Sequence, residues 1–363
     1  MKDMLGPSAV RAIADAGTAA SPAFDRRVFL AAATHGLDPL SIMERVRHIA
    51  DALGAALPRD VPTALAILCD MGPHLTGGFQ AVAVSEYAAR FGLAHLDTSL
   101  DAIAALTRYG TGEFAVRPFL AADPQRTLSV MRRWAGDLDE HVRRLASEGS
   151  RPRLPWAARV PALTSDPTLA ATILEALKSD PSPYVRKSVA NHLNDIAKYK
   201  PDWVVERLAG WSQDEATTLW IIRHGLRTLI KAGNPRAMEL IGAGVKPLVQ
   251  AEIFSVAPDT VTLGETIAIE ARLVSLSDTA QKLVVDYRIH YVRAGGRSAA
   301  KVFKLKTFTL GAHEAASVSM RQAIRDFSTR KHYAGLHRIE LLVNGDLAGE
   351  SQFQILIQQP VGG

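Results

Sequence analysis

One helical phrase is written twice between Asp123 and Asp195, and that repetition constrains the fold more than any other feature of the chain. Asp123-Pro124-Gln125-Arg126-Thr127-Leu128 aligns with Asp166-Pro167-Thr168-Leu169, Asp137 with Asp180, and His141-Val142-Arg143-Arg144 with Tyr184-Val185-Arg186-Lys187, at a constant offset of 43 residues. A weaker third copy begins at Asp202, where Trp203-Val204-Val205-Glu206-Arg207-Leu208 leads to Trp220-Ile221-Ile222-Arg223 at a shorter offset. A helix pair of this length buries its apolar face only against its neighbours, so the phrase predicts a HEAT-like α-solenoid of roughly 40 to 47 residues per unit. The second helix of each pair carries an apolar residue followed by one or two cations. Arg143, Arg144, Arg186, Lys187 and Arg223 should therefore form a ladder along one side of the stack. A curved positive stripe suits a regularly charged polymer such as a nucleic-acid backbone.

At 363 residues the chain is long enough for two or three domains. Its net charge of +5 favours an anionic partner, although the placement of the charges says more than their sum. The one cysteine, Cys69, follows the apolar run Leu65-Ala66-Ile67-Leu68, which excludes an internal disulfide and a multi-cysteine metal site and predicts a buried structural thiol. Charged residues through the first thirty positions argue against a signal peptide, and no run of about eighteen apolar residues predicts a membrane span. These features together predict a cytoplasmic protein.

From about residue 22 to 111 the chain reads as successive helices, started at Pro22-Ala23-Phe24-Asp25, Asp38-Pro39-Leu40-Ser41, Arg59-Asp60-Val61-Pro62 and Gly77-Gly78-Phe79. Leu40, Met43, Val46, Ile49, Ala50 and Leu53 recur at helical spacing and predict one buried face. The phrase Thr111-Gly112-Glu113 predicts a cap with Glu113 in the first helical turn, either as a favourable charge at the positive helix end or as a working carboxylate. Glu148 stands at the opposite kind of end. Gly149 and Pro152 close its helix, so the carboxylate meets the negative end of the dipole and needs a partner or a role; Arg144, one turn earlier, is the obvious partner.

Beyond it, Arg151-Pro152-Arg153-Leu154-Pro155-Trp156 forms a stiff extended segment offering guanidinium groups for phosphates and an aromatic plane for a sugar or base, or else a proline-rich connector with a buried Trp. Further on, Asn191, His192, Asn194 and Asp195 interrupt an apolar repeat helix and suggest contact with a wet surface, with His192 read as a structural histidine. No metal-binding or phosphate-loop motif occurs, so neither a metal nor a cofactor is expected.

Helical spacing stops after Gly242-Ala243-Gly244-Val245-Lys246-Pro247. Short alternating segments at 261–263, 267–274, 282–292, 300–308, 316–320, 336–343 and 351–357 then predict a small all-β immunoglobulin-like sandwich, giving a helical domain over residues 1–245 and a sandwich over 246–363. Between two of those segments, Arg293, Arg297 and Lys301 lie in a stretch with five cations and no acid. It reads either as a second arm on the same polyanion or as a lysine-protected edge strand.

Four phrases, Glu113-Phe114-Ala115-Val116-Arg117-Pro118-Phe119, His141 to Gly149, Arg151 to Trp156 and Asn191 to Ala197, resemble the AlkC branch of the AlkD-like DNA alkylation repair glycosylases. An immunoglobulin-like domain is similar to one found in part of that branch. The resemblance implies a monofunctional DNA glycosylase that excises cationic N3-alkylated bases, 3-methyladenine and 3-methylcytosine, from duplex DNA without rotating the nucleotide into a pocket. It maps the catalytic carboxylates onto Glu113 and Glu148 and the aromatic onto Trp156. Arg143, Arg144, Arg151, Arg153, Arg186, Lys187 and Arg223, with Asn191, Asn194 and Asp195, then become candidate DNA contacts of a monomer. A non-enzymatic HEAT-repeat scaffold for nucleic acid, or for an acidic protein, is the competing expectation.

Overall fold

The computed structural model describes residues 2–244, 246–327 and 331–357. Helices come first, in the order α1 (Pro7–Ala20), α2 (Arg26–Thr34), α3 (Ile42–Ala56), α4 (Val61–Met71), α5 (Gly78–Phe91), α6 (Leu96–Leu106), α7 (Arg117–Ala122) and α8 (Pro124–Trp134). They continue as α9 (Glu140–Gly149), α10 (Pro161–Ser165), α11 (Ala171–Ala176), α12 (Pro183–Ile196), α13 (Pro201–Ala209), α14 (Ala216–Gly225), α15 (Arg227–Lys231) and α16 (Pro235–Leu240). Several start where capping chemistry puts them. Asp25 accepts the Val28 amide at 2.9 Å, Asp60 accepts the Thr63 amide at 3.0 Å, and Ser41 with Glu44 makes a capping box at the head of α3. On α3, Val46, Ile49, Ala50 and Leu53 are all buried, as their spacing predicts. Helix α1, absent from the expectation, starts at Pro7 and buries Val10, Ile13 and Ala14. Cys69 is half-buried, and that burial pushes its thiol up. Among the described residues no single helix is long and apolar enough to cross a membrane.

The repeat survives at the level of single hydrogen bonds. Asp123 accepts the Arg126 amide and Asp166 the Thr168 amide, so each copy opens on the same acidic cap. Asp137 accepts the Asp139 amide at 2.8 Å, and Asp180 accepts the Ser182 amide at 2.8 Å. Asp139 caps α9 and Ser182 caps α12. Arg143 donates through Nη1 to the carbonyls of Asp137 and Leu138, and Arg186 repeats this to the carbonyls of Asp180 and Pro181. Each arginine thus folds back on the loop that precedes its own helix. Arg143 also joins the copies, donating Nε to Asp180 at 2.7 Å and Nη2 to the same carboxylate at 3.2 Å. Helix α14 packs on α12, with Thr218 donating to the Lys178 carbonyl at 3.2 Å.

The chain divides into two compact units. One runs to Val204 and takes in Gly210–Gly225; the other comprises Val205–Ala209 and the chain from Leu226 onward. The expected boundary at residue 245 falls on Val245, outside the described residues.

The second unit carries β1 (Val249–Ala257), β2 (Thr260–Thr262), β3 (Thr266–Ser275), β4 (Gln281–Val292), β5 (Ser298–Leu310), β6 (Ala315–Ala323), β7 (Gly335–Val343) and β8 (Asp346–Leu356). One sheet has the order β1-β3-β6 and the other β2-β8-β7-β4-β5, with β2 parallel to β8. Ile267, Ile269, Leu273, Leu283, Val285, Ile289, Ile339, Leu341 and Phe353 fill the core, and the Tyr287 hydroxyl crosses it to Gln322 at 2.8 Å. Strand β1 was not anticipated, because few of its residues are buried and its alternation is weak. The β7–β8 turn puts Asn344 at φ 49° and Gly345 at φ 89°. A Cβ at Gly345 would stand 2.6 Å from the Gly233 Cα, so only glycine fits there.

Candidate active site

Four segments of the helical unit converge: the turn before α7, helix α9, the loop 150–160 and helix α12. Glu113 sits in that turn rather than in the first turn of a helix, which corrects the expectation. Helix α7 starts only at Arg117, because Pro118 favours a first-turn position. The turn leaves Glu113 buried, with one carboxylate oxygen, Oε2, taking hydrogen bonds from the Thr111 hydroxyl and from Arg144 Nη1. Nothing among the described residues hydrogen-bonds to its other oxygen, Oε1. Burial pushes the Glu113 carboxyl above the usual glutamate range; Arg144 pulls it back and Glu148 pushes it up again.

Glu148, on the last turn of α9, is 5% exposed and its unfavourable place on the dipole is answered by three partners. Arg151 Nη1 and the Ser188 hydroxyl, the latter at 2.6 Å, donate to its two oxygens, and Arg144 Nη2 lies 3.6 Å away. Arg151 continues to Asp195, donating Nε at 2.9 Å and Nη2 at 2.7 Å, and Asp195 takes Lys198 Nζ at 2.9 Å. The result is a chain of alternating charge, Glu113–Arg144–Glu148–Arg151–Asp195–Lys198, linking the four segments.

The loop after α9 is held from beneath by Arg117. This buried guanidinium donates to the carbonyls of Gly149 at 2.9 Å, Arg151 at 2.6 Å and Ala158 at 3.1 and 2.9 Å. Burial, reinforced by the nearby Arg151 charge, pulls it down to about 10, so it stays a cation at neutral pH. Gly149 lets the loop lie close: a Cβ there would stand 2.7 Å from Val116 Cγ1. With the loop pinned, Trp156 projects at 58% exposure, its backbone at φ 65°, a region costly for a bulky residue. The buried connector Trp is thereby excluded.

Several expectations need correction. Arg143 does not offer an open guanidinium group to a backbone; its donors close a loop and join repeats within the fold, while Arg186 turns its Nη1 back on its own loop. Arg151 and Arg144 serve the carboxylates directly. The polar stripe on α12 does not meet a wet surface: His192, Asn194 and Asp195 are buried and Asn191 is half-buried. The His192 ring bonds through Nδ1 with the Ser147 carbonyl at 3.0 Å, and burial, aided by Arg151, pulls its pKa down to about 4. Of the ladder, Lys187 and Arg223 are exposed, as is Arg153 in the loop after α9. Arg153 rests over the Tyr199 ring at 5.8 Å. Arg117, Tyr184 and Ser188 were not singled out from the sequence as site residues, and Thr111 was read only as a helix cap. Arg117 carried a signal, since an arginine among the apolar residues of Glu113-Phe114-Ala115-Val116-Arg117-Pro118-Phe119 must find buried acceptors.

In the other unit, Arg293, Arg297 and Lys301 are exposed. They line a concavity of about 880 Å³ with Tyr291, Lys331 and Tyr333. Strand β5, which carries Lys301, is an edge of its sheet.

A helical repeat with buried paired carboxylates, joined in sequence to an immunoglobulin-like sandwich, describes a class of DNA alkylation repair enzymes. Residues 110–229 match the family described as DNA alkylation repair enzyme, and residues 250–357 match the one described as the C-terminal Ig-like domain of YhaZ. The chain is 40% identical to the YhaZ protein of Bacillus subtilis strain 168 over 316 residues, 87% of this chain and 88% of that protein. It is also similar, at TM-score 0.94 and 47% identity over 98% of this chain and 99% of that one, to the Pseudomonas fluorescens alkylpurine DNA glycosylase AlkC bound to DNA containing an abasic-site analog. The chain belongs to the AlkC family.

Proposed function

We propose that the protein is a monofunctional DNA glycosylase that excises cationic N3-alkylated bases, 3-methyladenine and 3-methylcytosine, from duplex DNA, acting as a monomer in the cytoplasm as the first step of base excision repair. The observation that carries this reading is that Glu113 and Glu148 both touch one guanidinium, Arg144, and so reach a common point. The structure of the similar AlkC protein, with DNA containing an abasic-site analog, supports DNA as the partner.

The chemistry asks little of an acid. An N3-alkylated base already carries the positive charge that makes it a good leaving group, and it departs neutral with the electrons of the glycosidic bond. What needs stabilising is the charge that develops on the deoxyribose. The Glu148 carboxylate, held by Arg151 and Ser188, faces that charge. Glu113, with Oε1 open, orients the attacking water and takes its proton as the water oxygen bonds to the sugar carbon. Trp156 lies against the sugar or backbone, and Arg153, Lys187 and Arg223 hold phosphates. Arg293, Arg297 and Lys301 form a second contact with the same polyanion. The open face of a solenoid favours action on a base still in the duplex, unlike enzymes that flip their target.

The test is release of free base from duplex DNA bearing 3-methyladenine or 3-methylcytosine. Release by the wild-type protein is expected; binding of that DNA without release would overturn the reading in favour of a scaffold.

A further inference from the structure

We propose that Tyr184 is a positioning residue for base excision, holding the Arg144 guanidinium between the two carboxylates. This rests on the glycosylase reading and adds to it a residue that acts without being one of the carboxylates.

Tyr184 lies in the first turn of α12, after the Ser182 cap and Pro183, at the repeat position where the preceding copy has His141. It is 42% exposed. The Arg144 guanidinium carbon stands 5.1 Å over the ring, and the His141 ring meets it edge-on at 5.6 Å. A cation over an aromatic face is attracted by the ring quadrupole, and more strongly when water is removed. Arg144 needs such a support. Its side chain is 14% exposed, one nitrogen serves Thr111 and Glu113, and the other lies 3.6 Å from Glu148, beyond hydrogen-bond length. The Glu148 side is therefore held by charge without a hydrogen bond, and the Tyr184 ring supports the plane of the fork.

Without the ring, the guanidinium, still bonded through Nη1 to Thr111 and Glu113, swings more readily towards water. Glu113 would then stay buried beside Glu148 with its cation less firmly placed, and would bind a proton more readily. A protonated Glu113 neither stabilises a cationic sugar nor accepts a proton from water. The consequence is a shift of the pH dependence, which loss of a merely structural contact would not produce.

Single-turnover excision of 3-methylcytosine from duplex DNA, followed from pH 5 to 9 for wild type, Tyr184→Phe and Tyr184→Leu, tests this. Phe keeps the ring face, so its profile should overlay that of wild type. Leu should move the acid limb to higher pH, with excision below the limb reduced about tenfold per unit of displacement and binding of abasic-site DNA little changed. Tyr184→Gln, polar and suited to a half-exposed site, repeats the measurement if the Leu variant does not fold. A Leu or Gln variant with the wild-type profile, or a Phe variant impaired as much as Leu, overturns the proposal. If the wild-type protein releases no base, the glycosylase reading itself fails, a different result from active protein with indifferent variants.

Discussion

Replacing Arg117 by methionine tests how the loop that bears Arg151, Arg153 and Trp156 is held. Methionine nearly fills the same volume, so the change removes a charge and four hydrogen bonds to three carbonyls while leaving the packing similar. Leaving buried carbonyls without donors costs roughly 1–3 kcal/mol each, or about 3–6 kcal/mol if the loop only partly relaxes towards water. Against this stands the burial of the charge itself. A fall from 12.5 to about 10 corresponds to roughly 3 kcal/mol of unfavourable environment that the methionine variant escapes. The two effects leave a net loss of about 0–3 kcal/mol, equivalent to a fall in Tm of up to roughly 12 °C for a unit of this size. Most of the disturbance should be local, so amide exchange in residues 150–158 should accelerate far more than in α3 or α5, and excision should fall because Glu148 loses a firmly placed Arg151. Arg117→Lys should be milder, since one ammonium can reach the Gly149 and Arg151 carbonyls that share a single guanidinium nitrogen. A methionine variant with wild-type melting and unchanged exchange across the loop would refute the idea that this arginine is the clamp.

Three further outcomes follow from the same geometry. Glu113→Gln and Glu148→Gln should bind lesion DNA but excise it roughly a hundredfold or more slowly, and wild-type activity should fall on acidification at a pH above the ordinary glutamate range, because the raised Glu113 carboxyl takes up its proton early; equal turnover by the Glu113 variant removes that residue from the chemistry. At Trp156, glycine relieves the φ 65° backbone while alanine does not, so the glycine variant should melt higher than the alanine variant by about 1 kcal/mol, with both excising slowly; the reverse order of melting refutes the strain. His192 is held neutral, its pKa lowered from 6.5 to about 4, so the unfolded chain binds the proton first and stability should be full above about pH 6.5, fall as pH drops towards 4 and level off below it, by up to roughly 3 kcal/mol. Urea midpoints at pH 7 and pH 4.5 should differ less for His192→Gln than for wild type; the same difference in both would show that other groups set that limb.

The sequence reading succeeded where local rules or strict periodicity operate. The offset between Asp123 and Asp166 marked the stacked helices, and the matching hydrogen bonds at Asp137 and Asp180 show why: each copy solves the same loop problem with the same side chain. It failed where a residue's effect depends on where its donors end up. Arg143 and Arg144 are neighbours of identical chemistry, yet adjacent positions on a helix point about 100° apart. One therefore turns to Asp180 and its own loop and the other to Glu113 and Glu148. The α12 stripe misled for the same reason, since polarity does not distinguish a side chain facing water from one facing a buried partner.

By itself, then, the order of residues determined the repeat and the change from helical to alternating spacing near residue 245, because these depend on contacts close in the chain or on composition. Which cation meets which acid was decided only in three dimensions. Glu113 and Arg144, or Arg151 and Asp195, lie dozens of positions apart, and the burial that makes their pairing matter exists only once α9 and α12 have packed together.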